Sequence, residues 1–306
     1  MSRVFKFKII ICCFCLSFFS CNKNLKKEYD EEGRLIKVYN EINGKIEGAY
    51  KEYYASGNLK VIKNFKNGFV RDTSFFYHDK SNEHIAAIVV FLDGNINKKT
   101  SYYLNGKIKD EGFINNEGKK KGNWNFYDKK GNLKVQDEYF IINGDEYLNQ
   151  SIAYDENKEI LFSKTKKIDV QIFSDSISMN EPIQALACID IGHFIGAKTQ
   201  GKVYLSKGYG NEINEDFSNL NEIELEAFNN LGKDSVNGSS FRDFNQDKCI
   251  AFGKWFDKKG INILRGIIVE YYKDSIQEKE HKFYFEKEIF VKDSIGNIPD
   301  LKENHS

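Results

Sequence analysis

Proline is nearly absent, with two residues in 306, and outside the first twenty residues cysteine is equally scarce, Cys188 and Cys249 being the only pair in the body of the chain beyond Cys21. Few prolines exclude a proline-rich linker or a polyproline spacer. A disulfide-dense small scaffold is excluded by the cysteine count. The one long apolar run, Ile9 to Phe19, is too short to span a bilayer as a stable helix, which takes about 20 residues. Catalytic frames are missing as well. No phosphate-binding loop occurs, Gly208-Tyr-Gly210 lacks the third glycine of a dinucleotide loop, and Val236 to Ser240 does not carry the Gly-x-Ser-x-Gly frame of a nucleophile elbow. The histidines at 78, 84, 193, 281 and 305 lack zinc-ligand spacing, and His78 and His84 read as a surface pair. Asp243-Phe-Asn245-Gln-Asp247 begins like a calcium loop, but Lys248 stands where that loop needs glycine and Lys254 where it needs glutamate. A solvated turn is the plain reading of that stretch. No metal, no cofactor and no catalytic residue is therefore assigned from sequence.

What is present begins at the N-terminus. Arg3, Lys6 and Lys8 precede the apolar run, Ser20 follows it, and Cys21 leads into the polar Asn22-Lys23-Asn24. A basic start, an apolar core and a small residue at the cut describe an export signal over residues 1–20. A cysteine directly after the cut resembles the lipobox of bacterial lipoproteins, which implies acylation of the Cys21 thiol and a tether over 21–28. Phe18 departs from that pattern, which prefers leucine there. Without the signal the chain keeps 286 residues, with 42 basic and 45 acidic groups and a net charge of −3. That balance gives no electrostatic footprint for nucleic acid. In an oxidising compartment Cys188 and Cys249 form either one bridge or two buried thiols; spacing does not decide between them.

The first half repeats. Aromatics recur at Tyr29, Tyr53, Tyr77, Tyr103, Tyr127 and Tyr154, and between them lie Asn43-Gly44, Asn67-Gly68, Asp93-Gly94, Glu117-Gly118 and Asn143-Gly144. Asn-Gly and Asp-Gly favour two-residue hairpin turns, because both central residues need positive φ. A second series of turn glycines, Gly33, Gly57, Gly106 and Gly131, each precedes Leu35, Leu59, Ile108 or Leu133 by two residues. Each unit reads as strand, turn, strand, turn, and units must stack because a lone hairpin is marginal in water. The expected result is an all-β chain whose residues 29–163 form an antiparallel β-hairpin meander. The unit Gly44, Gly48, Tyr50, Tyr53, Gly57, Leu59 repeats as Gly118, Gly122, Trp124, Tyr127, Gly131, Leu133. This pattern resembles the MORN-like repeats of exported bacterial proteins. The resemblance implies an elongated sheet with an interaction role and no chemistry of its own; some relatives act as antitoxin or immunity proteins. Tyr50, Tyr53, Trp124 and Tyr127 are then either the sheet's own core or, on an uncovered face, a binding surface.

Beyond Leu161 the repeat fades, and Lys164 to Lys167 reads as a short polar link. Strands are expected over Ile168–Ile172, Ile183–Ile191, Lys202–Leu205, Cys249–Phe256, Ile263–Tyr272 and Phe283–Val291, which predicts a β-sandwich over 168–294 and a tail over 295–306. The stretches opening at Val170 and closing at Phe290 are similar to immunoglobulin-like domains of bacterial surface proteins, although Trp255 falls after the second cysteine rather than between the two. Phe217, Leu220, Leu225, Phe228 and Leu231 sit near one helical face, with Ser218 as a cap and Gly232 as a stop, so one short helix is expected. The long loop from Asn211 to Lys248 is the second candidate binding region. These features point to a lipid-anchored, exported, non-catalytic binding or scaffold module in the bacterial envelope, probed by an unidentified protein partner. An immunity protein neutralising a toxin and an envelope-glycan enzyme with a carboxylate pair are the alternatives.

Overall fold

The computed structural model describes residues 24–80, 84–92, 96–273 and 278–293. Residues 1–20, where an export signal is expected, Cys21, Asp93-Gly94 and the expected tail over 295–306 lie outside the described residues. Eleven strands follow in chain order: β1 (Leu25–Tyr29), β2 (Leu35–Ile42), β3 (Lys45–Tyr53), β4 (Leu59–Lys66), β5 (Phe69–Tyr77), β6 (Ile85–Phe91), β7 (Ile96–Tyr102), β8 (Ile108–Asn115), β9 (Lys120–Tyr127), β10 (Leu133–Ile142) and β11 (Asp145–Ala153). They form one sheet in which every neighbour in sequence is a neighbour in space. The meander is present, and it starts earlier than the tether allowed, since β1 occupies Leu25–Tyr29.

Turn chemistry explains the regularity. Asn43 and Gly44 have φ of 51° and 74°, the two positive values a type I′ turn demands, and they connect Ile42 directly to Lys45 across the pair. Asn67-Gly68, at φ 56° and 85°, and Asn143-Gly144, at 50° and 83°, connect Lys66 to Phe69 and Ile142 to Asp145 in the same way, whereas a second kind of turn closes differently. In the turn after β3, the Tyr54 N–H donates to the Asn58 carbonyl at 2.8 Å and the Gly57 N–H to the Tyr54 carbonyl at 2.9 Å. The same pair of bonds recurs at Asp30, Tyr103, Asn115, Asp128 and Asp155. At the last of these Lys158, with φ 67°, stands where the others have glycine. This pattern also corrects the aromatic series. Tyr102, not Tyr103, ends its strand as Tyr53 and Tyr77 do, while Tyr103 opens the turn in the place of Tyr54. The displaced hydroxyls bind the next unit: Tyr54 donates to the Tyr77 carbonyl and Tyr103 to the Tyr127 carbonyl, both at 2.8 Å.

The second half has eight strands: β12 (Lys167–Ile172), β13 (Ser176–Ser178), β14 (Ile183–Ile191), β15 (Gln200–Ser206), β16 (Leu225–Asn229), β17 (Cys249–Lys254), β18 (Gly260–Lys273) and β19 (Glu278–Lys292). Sheet β12-β14-β17 faces sheet β13-β19-β18-β15-β16. Ile183, Ala187 and Ile250 from the first meet Val203, Ile268 and Phe283 from the second, all fully buried. This is the expected sandwich, with one parallel pair, β13 on β19. Lys254, 2% exposed, fastens the β17 end to the neighbouring edge by donating to the Ser206 carbonyl and pairing with Glu226.

No α-helix occurs among the described residues, so the expected helix is corrected. Leu225–Asn229 is a strand paired with β15. Before it, polar side chains take over the backbone: the Asn214 N–H donates to Asn219 Oδ1 at 2.9 Å and Asn219 Nδ2 to the Glu212 carbonyl at 2.8 Å. Such local bonds compete with helix formation. Phe217, at φ 55°, plugs the loop into the sandwich face instead.

The link between the halves is structured. Ser151 and Lys166 exchange both backbone bonds, at 3.0 and 2.7 Å, and the buried Thr165 hydroxyl accepts the Ala153 N–H at 3.1 Å. Strands β10 and β11 lie on the outer face of the five-stranded sheet, where Phe140 and Tyr147 pack with Phe217, Ile267, Val269 and Tyr284. The buried Asn149 amide donates to the Tyr284 carbonyl at 2.9 Å and accepts its N–H at 2.6 Å. Tyr147 adds a bond from its hydroxyl to the Lys282 carbonyl at 2.7 Å.

Candidate functional site

Two regions compete for function, and burial separates them. In the repeat sheet Trp124 is 1% exposed and Tyr50 8%. The indole lies across Gly112, where an added Cβ would stand 2.5 Å from the ring, and its Nε1 donates to the Phe113 carbonyl at 2.8 Å. The Tyr50 hydroxyl donates to Glu52, and burial together with that bond raises its pKa well above the usual tyrosine range. Tyr53 and Tyr127 are half-buried, and the Tyr127 hydroxyl is taken by Glu111 at 2.8 Å. Trp124 and Tyr50 are therefore part of the sheet's own core, while Tyr53 and Tyr127 keep part of their surface open.

The other region is the outer face of β12-β14-β17. Cys188 and Cys249 stand directly opposite each other on β14 and β17, with Cα atoms 4.1 Å apart, and are bridged. Over this face runs the 230–248 segment. Its buried anchor is Leu231, which packs with Leu186, Cys249 and Ala251. Asp234 accepts the backbone N–H groups of Val236 and Asn237 at 2.9 and 3.0 Å and the Asn237 side chain at 2.8 Å. Burial alone would raise the Asp234 pKa, but these bonds outweigh it and hold the carboxyl below its ordinary value. Gln246 folds back to donate to the carbonyls of Phe241 and Phe244, at 2.9 and 3.0 Å. A bonded loop on a rigid floor keeps its exposed side chains in place.

Two grooves flank the segment. On one side Phe173 stacks on Phe241, with ring centroids 5.9 Å apart and 10° between planes, above Pro182 and Phe252. On the other, Phe162, Phe244 and the half-exposed Ile160 rim a groove floored by Asp169, Asp190 and the disulfide. Phe162 is 69% exposed and Phe244 39%. Lys167 bonds Asp190 at 2.5 Å, which holds its ammonium above the usual lysine range. The Asp243 to Asp247 stretch is a turn in which Asn245 accepts the backbone N–H groups of Asp247 and Lys248, both at 3.1 Å.

The sequence marked the loop from Asn211 to Lys248 as a binding region, and its second half is this segment. The sequence reading missed Phe162 and Phe173, which come from the link and from the turn after β12. Nothing local sets them apart, because Phe162 follows Ile160-Leu161 and Phe173 follows Ile172. His78 and His84 close one loop, the His78 N–H donating to the His84 carbonyl at 2.9 Å.

No protein-family model matches the chain, and no curated protein matches it. Among solved structures, a mutant of S. aureus TarM in complex with fondaparinux, alpha-GlcNAc-glycerol and UDP is 16% identical over 47% of this chain, with a TM-score of 0.17. This chain spans 22% of that protein's length. A porin-like protein from Bacteroides uniformis is 10% identical over 86% of this chain and 96% of its own, again with a TM-score of 0.17. At these scores neither likeness bears on fold or function.

Proposed function

We propose that this protein is an exported bacterial lipoprotein, held at the membrane through Cys21, that works without catalysis by binding a protein partner on the outer face of the β12-β14-β17 sheet. The observation that carries this reading is the 230–248 segment, tied down by Asp234 and Gln246 while Phe244, with Phe162 beside it, stays in solvent. Exposed aromatics on a rigid floor are the side chains from which interface hot spots are built. The Cys188–Cys249 bridge supports an oxidising compartment outside the cytoplasm. The repeat sheet, joined to the sandwich through its Tyr147 and Asn149, serves as the spacer between anchor and binding face.

Two measurements test it. Radiolabelled palmitate is expected to enter the wild type and not Cys21→Ala; equal labelling of both removes the lipoprotein reading. A photo-crosslinking residue at Phe244 is expected to capture one envelope protein in living cells. Capture should fall at least tenfold when Phe162→Asp is added, and a crosslinker at Phe69, 68% exposed on the repeat sheet, should not give the same product. Identical products from Phe244 and Phe69, or none from Phe244, would refute the binding face.

A further inference from the structure

Residues Glu270 and His281 stand directly opposite each other on β18 and β19. Side chains paired in this way share one face of the sheet. Glu270 is fully buried and uses both carboxylate oxygens on the segment 192–199: Oε2 accepts the His193 N–H at 2.5 Å and Oε1 the Thr199 hydroxyl at 2.7 Å. This clamp lays the His193 ring flat on His281, with centroids 4.0 Å apart and 12° between planes. Phe194 meets His193 edge-on at 4.9 Å, and Phe283 meets His281 at 4.7 Å. Nδ1 of His193 and Nε2 of His281 are buried with no hydrogen-bond partner. The charged groups around the pair are Glu270 from β18 and Lys166 from the link, with Lys279 nearby over the Tyr272 ring at 5.7 Å.

That arrangement suits two neutral imidazoles only. An imidazolium carries two N–H donors, and here one nitrogen of each ring faces no acceptor. Two charged rings stacked at this distance would also repel each other, and Lys166 adds a third cation. Burial, then His193 and Lys166, push the His281 pKa down to about 4; burial and Lys166 lower that of His193 against the pull of Glu270.

We propose that His193 and His281 form an acid-released latch: stacked and neutral they hold the 192–199 segment on the sandwich, and protonation of either ring frees it. The segment leads straight into the base of the 230–248 loop, since Gln200 accepts Lys233 Nζ at 2.9 Å and the Gly201 N–H donates to the Asp247 carbonyl at 2.8 Å. On the other face of β19, the neighbours of His281 are Lys282 and Tyr284, the residues gripping Tyr147 and Asn149. Release therefore loosens both the exposed loop and the hold on the repeat sheet. The latch stands whether or not that loop binds a partner.

Because the closed rings bind a proton less readily than free imidazole, the closed state is favoured above about pH 6.5 and weakens as pH falls toward 4. For His281 the opening equilibrium rises by at most roughly 30-fold between pH 7.5 and 5.0, and by about tenfold once solvent screening of the partly exposed ring is allowed for. Hydroxyl-radical footprinting of the full-length chain in mild detergent reads this, normalised to the exposed Phe69. Oxidation of the partly buried Phe194 and Tyr272 is expected to rise severalfold between those pH values, while Trp124, 1% exposed, stays protected. The His193→Phe, His281→Phe double variant, which keeps two flat rings and removes both proton sites, is expected to abolish the rise. Should that variant lose its far-ultraviolet circular dichroism, each single substitution is expected to reduce the rise. An unchanged wild-type pattern, a rise retained in the folded variant, or parallel oxidation of Trp124 from general unfolding would each overturn the latch.

Discussion

Replacing Trp124 by alanine is expected to lower the unfolding free energy by about 3–5 kcal/mol, the range for removing a buried aromatic. The indole is 1% exposed, covers Gly112, and stacks on Phe126 with centroids 6.1 Å apart. Its loss leaves a cavity where β8 and β9 meet and strips the Phe113 carbonyl of its donor. Lys120 Nζ, 5.6 Å from the indole centroid and 4.5 Å from that of Tyr139, loses one of the rings that surround it. Urea unfolding followed by circular dichroism gives the difference directly. Trp255→Ala is the control: that ring is 52% exposed, so its removal is expected to cost under about 1 kcal/mol. Equal losses in the two variants would mean that Trp124 does not centre the repeat core. Fluorescence offers an independent check, because Trp255→Phe leaves a single buried emitter and should shift the emission maximum to shorter wavelength.

Breaking the Cys188–Cys249 bridge is expected to cost about 4 kcal/mol, since the cysteines are 61 residues apart and cross-linking a loop of that size restricts the unfolded chain by that order. For a domain of this size the loss corresponds to a fall of about 10 °C in Tm. The Cys188→Ser, Cys249→Ser double variant and the reduced wild type should agree, because both remove the same constraint. Calorimetry of the three forms checks it. A reduced form melting within 2 °C of the oxidised one would show that the bridge adds no stability, and the 230–248 segment would then lose its tied floor without consequence.

Much of the fold is legible locally. Asn43-Gly44 announces its turn because only residues that tolerate positive φ can connect Ile42 to Lys45 in two steps. β14 was legible from end to end, Ile183 to Ile191, because a run so apolar is buried. The aromatic series was read one residue out at Tyr103, because two adjacent tyrosines, Tyr102 and Tyr103, compete for one rung and periodicity does not choose between them. Phe217 to Leu231 shows the opposite failure. Helical spacing was there, but Asn214 and Asn219 gave the backbone nearer partners, and the free edge of β15 recruited Leu225–Asn229.

The candidate site was legible only in part. Its loop stood out by length and texture, while Phe162 and Phe173 come to it from elsewhere in the chain. Cys188 and Cys249 were visible as the pair in the body of the chain, yet their bridge depends on β14 and β17 being adjacent. The latch was invisible for the same reason: nothing in the spacing of His193, Glu270 and His281 brings them together.

By itself, then, the sequence determined most of the strands and turns and the break in texture near residue 164, because backbone conformation answers to local side-chain chemistry. Tertiary structure alone decided what covers each face. The runs Phe283-Tyr284-Phe285 and Ile267-Ile268-Val269 depart from strand alternation because the opposite sheet covers one side, and Phe140, Tyr147 and Phe217 cover the other. A strand's pattern states which residues share a face; the occupant of that face is set by contacts between residues far apart in the chain.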